Sequence, residues 1–242
     1  MLRSNRDLLA SLASAVLPVL FPLLRADAQT ADALRTKIAG YTSAHDVAIV
    51  RELTDFLAFP NLASDSANIR RNAEHLIGML SSRGIAARLL ESPSGGPPVV
   101  YGEMATRGAT KTVVFYAHYD GQPVDTTQWV TPPWKPVLRD KPLEANGRII
   151  SLPSSPGSID GEWRLYARSA SDDKAPIVAM LSAIDALRAS GTAPSVNLKF
   201  FFEGEEEAGS GHLPELLERN RALLRADAWL FGDGPVHQSR RQ

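Results

Sequence analysis

Two hydrophobic periods alternate along the chain, and their order predicts the fold. Over 66–82, Ile69, Ala73, Leu76, Ile77 and Leu80 share one face, which is the signature of an amphipathic helix; Gly84 stands where a cap is needed. A similar pattern over 45–59 predicts an earlier helix, ended by Pro60-Asn61. Residues 86–90 and 99–103 read as strands about the turn Ser92-Pro93-Ser94-Gly95-Gly96. Residues 112–117 form a continuous β-type run, as expected of a strand covered on both faces. The pattern fails over 122–164, where prolines 123, 132, 133, 136, 142, 153 and 156 punctuate a long irregular segment. It returns with a helix over 174–189, whose Pro176 sits in the first turn. A buried strand over 196–202, a helix over 213–224 and a short strand over 228–231 follow. Alternating strands and helices predict an α/β fold with a largely parallel mixed sheet flanked by helices.

The first 28 residues stand apart. Arg3 and Arg6 precede an almost wholly apolar stretch over 8–24, and Ala26-Asp27-Ala28 supplies a small-x-small cleavage pattern before Gln29. This predicts a secretory signal peptide over 1–28 and an exported, periplasmic or secreted, mature chain over 29–242. A short membrane anchor is the alternative, disfavoured by Pro18, Pro22 and the brevity of the run. No later segment reaches transmembrane length. The formal charge of −1 and the lack of a basic stripe give no reason to expect nucleic acid. With no cysteine, any metal must be held by histidine and carboxylates.

Candidates for that role stand in order where strands or helices meet loops: His118 and Asp120 in His118-Tyr119-Asp120, then Asp172-Asp173-Lys174, Glu205-Glu206-Glu207 and Asp233. Each has a plain reading by itself. His118 could be an ordinary hydrogen-bonded residue, Asp172 a helix cap, the triple acid a solvated face, and Asp233 turn chemistry. Together they point elsewhere. On a strand His118 and Asp120 share a face, as a ligand and its orienting carboxylate require. The three glutamates follow an apolar strand, where adjacent carboxylates repel unless cations or protons neutralise them. One imidazole with several carboxylates suits a divalent ion, and enough negative ligands are present for two.

These segments resemble the N-terminal catalytic half of the dizinc metallopeptidases, the family of carnosine dipeptidases, acetylornithine deacetylases, succinyl-diaminopimelate desuccinylases and carboxypeptidase G. The resemblance runs over 45–242, through Phe115-Tyr116-Ala117-His118-Tyr119-Asp120, Trp129, Pro132-Pro133-Trp134-Lys135-Pro136, the stretch from Tyr166 to Lys174, and Glu203-Gly204-Glu205-Glu206-Glu207-Ala208-Gly209-Ser210. It implies His118 on one metal, Asp172 bridging two, Glu207 and Asp233 as further ligands, Glu206 as general base and Asp120 orienting His118. It implies two Zn²⁺, with Co²⁺ or Mn²⁺ also accommodated, a cis Asp172–Asp173 bond, and a peptide or N-acyl amino acid substrate. A non-catalytic exported binding module is the alternative from another class. The resemblance further implies truncation before a lid domain, which often forms homodimers, and before a last histidine ligand, with activity impaired; His237 is too near Asp233 to be that ligand. One departure stands out: Ala167-Arg168-Ser169 replaces the usual Gly-Arg-Gly. If a glycine there needs positive φ, this turn must differ or bear strain.

Overall fold

The structure is a computed structural model that describes residues 6–234, with side chains from residue 31 onward. Residues 1–5 of the leader expected over 1–28, the side chains of the rest of it, and His237 lie outside what is described. Helix α1 spans Arg6–Leu57 and contains most of the predicted 45–59 stretch; it stops before Pro60, whose ring cannot continue it. Helix α2, Ser66–Ser82, begins at Asp65, whose carboxylate accepts a hydrogen bond from the Asn68 amide at 3.1 Å. Strands β1 (Ala86–Leu90), β2 (Val99–Met104) and β3 (Thr112–His118) follow.

The irregular segment then holds a small antiparallel sheet of β4 (Val137–Arg139), β5 (Ile149–Ile150) and β6 (Arg164–Tyr166), ordered β5-β4-β6. Strands of two or three residues are too short to show an alternation, which is why the pattern there reads as loop. Helix α3 spans Lys174–Ala189, β7 Asn197–Glu203, α4 Leu213–Arg219 and β8 Ala228–Phe231. Helix α4 ends five residues earlier than its apolar pattern suggests. Asn220 leaves helical geometry there, and its side-chain amide donates to the Leu216 carbonyl at 2.8 Å.

The main sheet has the order β1-β2-β7-β3-β8. It is mixed: β2 is antiparallel to both neighbours, whereas β7, β3 and β8 run parallel. Its central strands β7 and β3 are covered on both faces, whereas β8 at the edge leaves Leu230 and Phe231 exposed. Leu198, Phe200 and Phe202 of β7 pack with Val100, Ala117 and Tyr119 against the apolar faces of α1, α2 and α3. Phe201 points the other way, into Val114, Tyr116, Leu216 and Leu224. All three phenylalanines are fully buried, so the continuous apolar run is what a two-faced strand requires.

Arg83, at the end of α2, ties the helical layer together. Its guanidinium donates to both Glu52 carboxylate oxygens of α1 at 2.9 and 2.8 Å, and to Asp185 of α3 at 2.8 Å. Its side chain is 11% exposed and its partners 27% and 26%, so the cluster lies between a surface pair and a buried one. Arg83→Met should therefore lower the unfolding free energy by about 2 kcal/mol in urea titration. The half-exposed Arg70–Glu91 pair is the comparison: an equal loss in Arg70→Met would show that the inter-helix bridge adds nothing.

Candidate metal centre

Three parallel strands deliver the acidic groups to one rim. His118 is the last residue of β3 and lies opposite Glu203, the last of β7. Beyond β7 the chain turns at Gly204 into a single 3-10 turn over Glu206–Ala208. A side chain at 204 would lie 2.4 Å from the Tyr119 hydroxyl oxygen, so the turn requires glycine. Asp233 follows β8, and Asp172 stands just before α3. The carboxyl ends of parallel strands are where open α/β sheets place their ligands.

The imidazole of His118 is fully buried. Its Nε2 lies 2.8 Å from Asp172 Oδ1 and 3.8 Å from Glu206 Oε2. Its Nδ1 faces Asp120 Oδ1 at 3.3 Å without the alignment of a hydrogen bond. Two sets of donor atoms converge there, His118 with Asp172 and Glu207, and His118 with Glu206 and Asp233, each set within 4.8 Å. Four carboxylates around one buried imidazole suit divalent cations, and Asp172, with a side chain 63% exposed, keeps them open to an adjoining cleft. That cleft, about 670 Å³, is lined by Asp172, Asp173, Pro176, Met180, Phe231 and Asp233.

Asp120, fully buried, does more than face the imidazole. Its two oxygens accept hydrogen bonds from the backbone amides of Glu206 and Glu207, both at 3.1 Å, which pins the glutamate turn to the end of β3. The triple acid divides its labour. Glu205 turns away, accepting from the His212 amide and pairing with His212 Nδ1 at 2.8 Å. Glu206 and Glu207 point to the rim. Burial raises the Glu206 carboxyl above its ordinary range, Asp233, Glu207 and Asp120 add to the rise, and His118 opposes it.

The sequence pattern of Peptidase family M20/M25/M40 matches residues 114–240, which include all of these groups. The chain belongs to that family. Among M20 relatives, human Beta-Ala-His dipeptidase is 31% identical over 235 residues, covering 88% of this chain and 41% of the relative. A solved M20 metallo-carboxypeptidase of Sulfolobus solfataricus superposes with TM-score 0.64 at 31% identity, covering 80% of this chain and 39% of the other. A di-peptidase of Saccharomyces cerevisiae gives TM-score 0.66 at 27% identity, covering 82% and 41%. The chain thus spans about two-fifths of the length of these M20 proteins.

The structure brings together all six side chains singled out in the sequence: His118, Asp120, Asp172, Glu206, Glu207 and Asp233. Asp173 was not among them. It is buried, and its carboxylate accepts the His118 amide at 3.2 Å across a cis Asp172–Asp173 peptide bond. Burial pushes its carboxyl up to about 7, helped by Asp233 and Asp172 and opposed by His118. A carboxylate adjacent to a ligand carries no sequence signal of its own, because only the fold turns it inward.

Burial works to lower the His118 pKa. Asp120, Asp173 and Asp172 outweigh it and push the imidazole up to about 9. In the unfolded chain it titrates near ~6.5. Its contribution to stability is then complete below about pH 6.5 and disappears as pH rises through about 9; the raised Asp173 carboxyl loses its contribution in the same direction, up to about 7. With metal chelated, the urea midpoint should fall between about pH 6 and pH 9, and His118→Gln should flatten that slope. Metal binding must displace the imidazole proton, so affinity should climb over the same window.

Proposed function

We propose that this chain carries the metal-holding half of a peptidase acting on short peptides, dipeptides first. The observation that supports this most is the pair of donor sets sharing His118, gathered where three parallel strands end and α3 begins. In this reading His118, Asp172, Glu207 and Asp233 would hold two zinc ions, and Co²⁺ or Mn²⁺ would fit the same donors. Bound divalent cations supply acidified water and polarisation of the scissile carbonyl. The residues supply the remainder. Glu206 takes the proton of the attacking water and hands it to the leaving amine; its raised pKa brings it nearer the working range of a general base. Asp120 keeps His118 and the Glu206 backbone in register, so ligand and base share one anchor. The substrate class follows the relatives' names, a Beta-Ala-His dipeptidase and a di-peptidase.

Glu206→Gln separates binding from chemistry. Wild type and variant should take up equal zinc, while dipeptide turnover by the variant falls at least about 100-fold. A chain that binds no metal, or a variant as active as wild type, would sink the assignment. Hydrolysis of N-acyl amino acids in place of dipeptides would move it to the deacylase branch.

Residues 1–28 we read as an export leader, from Arg3, Arg6, the apolar 8–24 stretch and Ala26-Asp27-Ala28. Expression in a bacterium should yield periplasmic protein beginning at Gln29 by N-terminal sequencing. An intact Met1 on exported protein would refute cleavage.

A further inference from the structure

Asn61 lies in the turn after α1, far in sequence from every candidate ligand, and is fully buried. Its side-chain amide donates to the Tyr119 carbonyl and to the Ser169 hydroxyl, both at 2.9 Å. Its side-chain oxygen accepts from Trp134 Nε1 at 2.9 Å, and its backbone carbonyl accepts from the Gly121 amide at 2.9 Å. Both N–H donors are used, and the indole contact fixes which way the amide points. Ser169 completes the link. Its hydroxyl donates to the Asp120 carbonyl at 3.3 Å, and its own carbonyl accepts the Lys174 amide at 3.2 Å, closing the turn that contains Asp172.

Ser169 has φ +60°, a left-handed backbone that glycine adopts more readily. This is where the chain departs from Gly-Arg-Gly, and the hydroxyl offers what glycine lacks: an acceptor for Asn61 and a donor to Asp120. The facing residue is matched to it, because a side chain at Gly121 would come within 2.4 Å of the Ser169 oxygen.

We propose that Asn61 and Ser169 are a pair of positioning residues that hold the His118–Asp120 strand end at a set distance from the Asp172 turn, so that metal affinity depends on a buried amide outside both. The inference rests on the metallopeptidase reading. Three successive residues, Tyr119, Asp120 and Gly121, are gripped through their backbones by this pair. Asp120 in turn holds the amides of Glu206 and Glu207. A shift at Asn61 therefore reaches both donor sets without touching any donor. Trp134 hooks the long irregular segment to the same amide, and the Pro133 carbonyl accepts the Arg168 amide at 2.7 Å.

Asn61→Asp keeps the side-chain shape but loses both donors, and Ser169→Gly relieves the backbone while removing the hydroxyl. Zn²⁺ and Co²⁺ affinity of the 242-residue chain, measured by chelator competition, should fall about 10–100-fold in each. The double variant should be no weaker than the worse single one, since the two share a bond. Ile69→Val in the α2 core, 1% exposed, serves as a stability control and should leave affinity unchanged. In the metal-free chain, amide exchange should quicken together at 119–121 and 169–174 in either variant. Affinities within about twofold of wild type, or a loss no greater than that of Ile69→Val, would overturn the proposal. Should Asn61→Asp fail to fold, Ser169→Gly decides alone. A wild-type chain that binds neither metal would overturn the metallopeptidase reading instead, and the exchange pattern would still judge the positioning pair.

Discussion

The buried carboxylate of Asp120 is the contact on which the centre depends. It has no exposure to water, faces the His118 ring at 3.3 Å and accepts the amides of Glu206 and Glu207. A buried carboxylate is tolerated only where hydrogen bonds and charge replace its hydration. Here the replacements are the imidazole that would hold metal and the backbone of the turn that carries two of its acidic neighbours. One group therefore sets the geometry of two loops that lie more than eighty residues apart.

The sheet makes this arrangement affordable only because of what lies on both sides of it. β7 and β3 are parallel and packed on both faces by apolar helices and side chains, β8 runs parallel at the exposed edge, and the tips of all three lie at one rim. At those tips Asp172, Glu206, Glu207 and Asp233 crowd around a single imidazole. Burial raises the proton affinity of Glu206 and Asp173, and the like charges beside them add to the rise. The repulsion among these carboxylates becomes attraction toward a divalent cation. The stretch that matches the M20 family and the crowded rim contain the same residues.

Elements with long, strong periods were legible in advance. α2 and α3 match their patterns end to end, because a helix buried along one face must repeat its apolar positions at that period. β3 and β7 were legible for the opposite reason: covered on both faces, they carry unbroken apolar runs over 113–117 and 200–202. The small β4–β6 sheet was not, since its strands are shorter than any period. Among the site residues, those ending apolar strands could be found from position. Asp173, Glu205 and Asn61 could not, as their importance lies in which way the backbone turns them.

The sequence by itself determined that the chain builds helices around an apolar sheet, that thiolate ligation is excluded, and that one histidine and several carboxylates end up at strand termini. These follow from local residue chemistry and periodicity, which act over a few neighbours. The tertiary structure decided the rest. Glu205 turns inward to His212, Asp173 caps the His118 amide, and Ser169 accepts a left-handed backbone because Asn61 and Gly121 face it. Hydrogen bonds between segments tens of residues apart set those outcomes, and such bonds have no counterpart in the order of residues until the chain has folded.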